Sequence, residues 1–78
     1  MAMGNPLMAC AAEANYNACI MRNLTRPSTP REFEALINAY KETGQRRRAC
    51  GLMDQVIQRY PSSPQARRFG QYVQRNCH

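Results

Sequence analysis

The chain has 78 residues and a formal net charge of +6, from 11 Lys and Arg against five Asp and Glu. A chain of this length forms a single domain, and such a domain buries only about 60% of its unfolded surface. Its 44% apolar residues suit a packed core rather than disorder, and its apolar stretches are too short to span a membrane. One His and five carboxylates leave few groups for acid–base or metal chemistry, so we expect neither an enzyme nor a bound cofactor.

Three prolines mark predicted helix starts, because each follows a residue whose side chain can cap a helix N-terminus. Proline is favoured at the first helical position, where its missing N–H would have no partner. The three pairs are Asn5-Pro6, Thr29-Pro30 and Ser63-Pro64. Thr29 is followed three residues later by Glu32, a spacing typical of a capping box.

Apolar residues at helical spacing predict five helices and no strand, an all-α fold. The first two are short, one running from Leu7 to Ala14 and one from Tyr16 to Leu24, with Asn15 as a left-handed turn residue between them. Longer stripes predict three further helices. The apolar residues of these stripes are Phe33, Leu36, Ile37 and Tyr40, then Ala49, Leu52, Met53, Val56, Ile57 and Tyr60, and finally Ala66, Phe69, Tyr72 and Val73.

Pro30 and Pro64 are 34 residues apart and enclose one helical hairpin, which is the period of the tetratricopeptide repeat. The chain between them resembles that family at the positions Phe33, Leu36, Tyr40, Gly44, Ala49, Met53 and Pro61. Ile37 and Val56 depart from the family pattern, which has smaller residues there, and imply a wider helix spacing. The resemblance implies one domain over 1–78, a right-handed array of antiparallel hairpins. It contains a short divergent hairpin at 1–29, a full repeat at 30–63 and a capping helix at 64–78.

The four cysteines are an even number in a short chain, a pattern typical of two disulfides in a small exported domain. In a cytosolic protein the same count would suggest metal or redox chemistry instead. Because consecutive helices of a tetratricopeptide-like array run antiparallel, the resemblance implies the pairs Cys10–Cys19 and Cys50–Cys77. We therefore expect an extracytoplasmic protein, periplasmic or secreted.

Zinc bound by Cys50, Cys77 and His78 is the main alternative for the cysteines. The chain has no closely spaced pair of cysteines, and adjacent Cys77 and His78 are poorly placed for tetrahedral coordination. A C-x-x-C redox motif is missing from the sequence as well. We therefore predict that none of these residues binds a metal ion.

Positive charge is concentrated in residues 44–78, which contain seven arginines and a single carboxylate, Asp54. One interpretation is a solvated face that keeps the end of the array soluble. The other is an anion-binding surface, formed by Arg46, Arg47, Arg48 and Arg67. Nucleic acid is the less favoured anion, because the Tyr and Phe residues belong to the apolar stripes and leave no stacking platform.

Tetratricopeptide proteins hold peptides in a groove lined by the first helix of each repeat. The resemblance therefore implies a non-catalytic interaction module that binds a protein or peptide partner, or forms a homo-oligomer, within a larger exported protein or complex. The residues on that face are Arg31, Glu34, Asn38, Lys41, Arg68 and Tyr72. Asn38 is the best single candidate, because its amide can bond the backbone of a bound peptide.

Overall fold

A computed structural model describes residues 6–77 of the chain. It contains five helices, namely α1 (Pro6–Cys10), α2 (Tyr16–Asn23), α3 (Pro30–Glu42), α4 (Arg46–Arg59) and α5 (Pro64–Asn76). The described residues include no strand, so the predicted all-α class and the number of helices are confirmed.

The capping residues begin the two helices for which the sequence predicts them. Thr29 Oγ1 accepts a hydrogen bond from the Glu32 N–H at 3.1 Å, and Ser63 Oγ accepts one from the Ala66 N–H at 3.0 Å. The Glu32 carboxylate reaches back one residue further than in a standard capping box, because it accepts the Ser28 N–H at 2.9 Å. The predicted cap at Asn5 lies outside the described residues.

Gly44 lies in the middle of the turn between α3 and α4 and has a φ of 79°, a backbone conformation that glycine adopts without steric cost. The N–H groups of Thr43 and Gly44 donate to the carbonyls of Ala39 and Lys41. These bonds satisfy carbonyls that the end of α3 leaves open. The chain therefore enters α4 after only three residues.

The beginning of the chain differs from the prediction. α1 ends at Cys10 rather than at Ala14, and residues 11–15 form the turn that precedes α2. Asn15 is not left-handed, since its φ is −115°. It caps α2 instead, because its Oδ1 accepts a hydrogen bond from the Ala18 N–H at 3.0 Å. An Asn at this position satisfies a free donor of the first helical turn.

The buried residues form two clusters that share α3. The larger cluster joins α3, α4 and α5 through Phe33, Ile37, Ala49, Met53, Val56, Ala66, Phe69 and Val73. The smaller cluster joins α1, α2 and α3 through Cys10, Cys19, Ile20, Leu24, Leu36 and Ala39. Both clusters depend on α3, which contributes four buried residues between its first and last turns.

Each helix packs against the next one along the chain, and α3 also contacts α5. The first turn of α3 meets the end of α4, where the rings of Phe33 and Tyr60 stack edge to face with centroids 5.9 Å apart. The Tyr60 hydroxyl donates to the Ser28 carbonyl at 2.8 Å. The turn before α3 is thus held to the end of α4.

Two disulfides connect the helices, and they join the predicted pairs. Cys10 at the end of α1 bonds to Cys19 in α2, and both residues are buried. Cys50 in the first half of α4 bonds to Cys77, the residue that follows α5. This second pair is only half-buried. None of the cysteines in the described chain is free.

We predict that Ala49→Leu destabilises the fold by about 1–3 kcal/mol, because a larger side chain overpacks a closed interior. Ala49 is completely buried among the residues of the larger cluster. Gln58→Leu is the matched control, since Gln58 is exposed on the same helix. Thermal melting followed by circular dichroism measures both variants. An unchanged melting temperature for Ala49→Leu would mean that this position is not tightly packed.

Removing the disulfides should cost stability, and slightly more for the bond that closes the longer loop. The chain-entropy relation gives about 2.6 kcal/mol for Cys10–Cys19 and about 3.5 kcal/mol for Cys50–Cys77, which close separations of 9 and 27 residues. Cys50→Ala/Cys77→Ala should therefore lower the melting temperature by more than about ten degrees, since a small domain shifts about 4–8 °C per kcal/mol. Cys10→Ala/Cys19→Ala should lower it as well. Melting curves that match the unmodified protein would contradict the stabilising role of both bonds.

Candidate functional site

A groove of about 240 Å³ lies between α3 and α5. Three of its residues come from α3 and three from α5. They are Glu34, Asn38, Lys41, Arg68, Phe69 and Tyr72. The α3 residues share one face because they are spaced by four and three positions, and residues at such spacings are neighbours on a helix surface.

One wall of the groove is held by an ion pair between the two helices. Arg68 Nη2 donates to Glu34 Oε2 at 2.7 Å, and Gln65 Nε2 donates to Glu34 Oε1 at 3.3 Å. The side chains of Arg68 and Glu34 are 62% and 26% exposed, so the pair adds little stability. The pair places these two side chains next to each other between the two helices.

A second contact crosses between the helices near the end of α3. Lys41 Nζ lies 4.4 Å from the centroid of the Tyr72 ring, within the range of a cation–π interaction. This contact joins the end of α3 to α5. Both residues line the groove.

Asn38 occupies the middle of the groove on the α3 side. It lies between Glu34 and Lys41 and is exposed. Its side chain forms no hydrogen bond with any other part of the described chain. An amide carries two donor hydrogens and one acceptor oxygen. Asn38 thus presents unused donors and an unused acceptor to anything that enters the groove.

The groove contains five of the six residues that the sequence predicts for a partner-binding face. The exception is Arg31, which is exposed in the first turn of α3 and does not line the groove. Phe69 lines the groove but belongs to the apolar stripe of α5, so the sequence assigns it only to the core. Phe69 is buried, with 7% of its surface exposed, and it still lines the groove.

The structure divides the four arginines of the predicted anion-binding set. Arg46, Arg47 and Arg48 surround a shallow depression at the start of α4, together with Gly44 and Gln45. Arg67 lies near the start of α5, whereas the start of α4 is bonded to the end of that helix. A helix rises 1.5 Å per residue, so Arg67 lies about 15 Å along α5 from Cys77. These four side chains do not form one cluster.

Two further observations bear on the chemistry of the described residues. Within residues 6–77, no three or more His, Cys, Asp or Glu side chains are grouped so that they could hold a metal ion. Cys50 and Cys77 of the zinc alternative are bonded to each other, and His78 lies outside the described residues. Over the same range, none of the helices is long and apolar enough to cross a membrane.

No protein-family model matches this chain, and comparisons with curated proteins and with solved structures give no match. Its function therefore has to be inferred from the chemistry of its own surfaces.

Proposed function

We propose that this chain is a non-catalytic interaction module that binds a peptide segment of a partner protein in the groove between α3 and α5. The observation that carries the proposal is the position of Asn38, whose unpaired amide lies between two contacts that join the helices, Glu34 with Arg68 and Lys41 with Tyr72. An amide without a partner in the chain can bond a peptide backbone without first giving up another hydrogen bond.

The proposed architecture is a tetratricopeptide-like antiparallel array with one full repeat at 30–63. Its support is the 34-residue spacing of Pro30 and Pro64, the tight turn at Gly44 and the contact of Phe33 with Tyr60 at opposite ends of α3 and α4. In such an array α3 and α5 are the first helices of successive repeats, and their shared groove is the peptide-binding surface.

The binding mode follows from the groups in the groove. The Asn38 amide accepts a hydrogen bond from a peptide N–H and donates one to the neighbouring carbonyl. Tyr72 and Phe69 provide apolar surface for a peptide side chain. Lys41 and Arg68 already contact Tyr72 and Glu34, so charge contributes little to this binding. The groove is small, so one copy binds weakly, and tethering within a larger protein or self-association raises the effective affinity.

The two disulfides support an oxidising compartment for this interaction. Intramolecular disulfides persist in secreted and periplasmic proteins, whereas the cytosol keeps most thiols reduced. All four cysteines of the chain are paired. The proposed setting is therefore extracytoplasmic, within a larger exported protein or complex.

A second candidate function is anion binding at the start of α4. It is favoured by Arg46, Arg47 and Arg48, which lie together around one depression. Cations are disfavoured in the first turn of a helix by the macrodipole, so these arginines do not serve helix stability. Binding of this kind weakens steeply with salt, whereas peptide binding through Asn38 and Tyr72 should persist at high salt.

The proposal predicts that peptides selected on this protein depend on Asn38. A displayed random-peptide library is selected against the disulfide-intact chain at high salt, and the enriched peptides are measured by fluorescence anisotropy. Asn38→Ala should weaken their binding about tenfold, the effect of losing one or two hydrogen bonds. The matched control is Gln58→Ala, an exposed amide on α4 outside the groove.

Two results would contradict the peptide-binding function. One is a selection that enriches no peptide above the level seen with the double variant Asn38→Ala/Lys41→Ala. The other is an enriched pool that binds Asn38→Ala and the unmodified chain equally. If added salt abolishes binding of the selected peptides, and the double variant Arg46→Gln/Arg47→Gln does so as well, the anion-binding function is favoured instead.

A further inference from the structure

A second groove, of about 350 Å³, lies between α3, α4 and the connection from α2 to α3. Its floor is formed by Leu36, Tyr40 and Leu52, and its rim by Arg48 and Gln55. Leu36 is buried and Leu52 is half-buried. The groove is thus an apolar surface with a few polar groups at its edge, the usual composition of a ligand site.

This groove lies on the other side of α3 from the groove that contains Asn38. Leu36 of the second groove is two positions after Glu34 of the first. Tyr40 of the second groove is likewise two positions after Asn38 of the first. Two positions on a helix correspond to a rotation of about 200°. An occupant of one groove therefore does not touch the other, and this inference is independent of the peptide-binding function proposed above.

Gly51 keeps the second groove open on the α4 side. A Cβ at this position would meet no atom within 4 Å, and the φ of Gly51 lies outside the range that favours glycine. Neither packing nor backbone conformation requires a glycine here. Glycine inside a helix makes the helix less stable than alanine would. Packing and backbone conformation do not explain why α4 has glycine at this position. Its missing side chain leaves free space in the groove.

Among the described residues that line this groove, Arg48 alone is charged. Its guanidinium carbon lies 5.8 Å from the centroid of the Tyr40 ring, which holds the cation at the rim. In the described part of the chain Arg48 has no carboxylate partner, because the ion pair there joins Arg68 with Glu34. An apolar floor beside one unpaired guanidinium is complementary to an apolar group that carries a carboxylate.

We propose that this second groove binds an acidic segment of a partner polypeptide, in which one apolar side chain lies next to a carboxylate. The apolar side chain occupies the space beside Gly51 and contacts Leu36 and Leu52. The carboxylate pairs with the guanidinium of Arg48. The size of the groove is at the lower end of ligand sites, which suits one large side chain rather than a whole helix.

The probe for this site is N-acetyl-L-phenylalanine, which combines one apolar ring with one carboxylate. It is titrated into the full, disulfide-intact, ¹⁵N-labelled chain, and the backbone amides are followed by NMR. The amides of Gly51 and Gln55 should shift in a saturable way. The matched neutral probe, N-acetyl-L-phenylalaninamide, should bind about fivefold more weakly, because it cannot form the ion pair with Arg48.

Two variants separate the apolar contact from the charge. Gly51→Leu fills the groove and should abolish the shifts without lowering the melting temperature. Gly70→Leu is its control, since Gly70 is a glycine inside α5 whose Cβ would also meet nothing within 4 Å, and it should bind both probes normally. Arg48→Gln should lower the affinity for N-acetyl-L-phenylalanine to that for the neutral probe. The affinity for the neutral probe itself should not change.

Four results would overturn the inference. The first is shifts at Gln55 that persist in the folded Gly51→Leu variant. The second is equal binding of the acid and the amide. The third is a shift of the same amide signals when only the protein concentration is raised. In that case the occupant of the groove would be a second copy of the chain. Shifts confined to Asn38 and Tyr72 would also overturn it, yet they would leave the peptide-binding function standing.

Discussion

The disulfide between Cys50 and Cys77 is the constraint on which the arrangement of the second half of the chain depends. It ties the residue after α5 to the first half of α4, and three buried residues of α5 complete the larger cluster. A domain of 78 residues has a thin core. The bond limits the positions that α5 can take, and the groove between α3 and α5 exists only while α5 stays in place.

Helix α3 links the stability of the molecule to its surfaces. Phe33 and Ile37 face the larger cluster, and Leu36 and Ala39 face the smaller one. Other positions border the two grooves, with Glu34, Asn38 and Lys41 on one side and Leu36 and Tyr40 on the other. A single helix thus packs against three others and still presents side chains to two separate depressions. A shift of α3 would change both grooves at the same time.

Much of this arrangement could be predicted from local signals in the sequence. The caps at Thr29 and Ser63 predict the starts of α3 and α5, because a residue with a side-chain oxygen followed by proline is typical of a helix start. The spacing of Glu34, Asn38 and Lys41 predicts that they share a face. The cysteine pairs follow once neighbouring helices are taken to alternate in direction.

Other features depend on contacts between distant segments, which local sequence patterns do not predict. The alanines after Cys10 favour a helix, but the chain must reverse within residues 11–15 for Cys10 to reach Cys19. The distance of Arg67 from the arginines of α4 was not predicted, because the sequence does not show which helix ends lie together. The groove beside Gly51 was not predicted either, since three separate segments must meet to form it.

Mapping the disulfides in the unreduced protein tests this account most directly, because the pairing depends on how the helices are arranged. Cleavage after Glu13 separates Cys10 from Cys19, and cleavage after Arg22 and Arg59 separates the remaining cysteines. Digestion with a glutamate-specific protease and trypsin, followed by mass spectrometry, should yield linked peptides that join Cys10 with Cys19 and Cys50 with Cys77. A peptide joining Cys19 with Cys50, or Cys10 with Cys77, would contradict the arrangement of the helices and both grooves that depend on it.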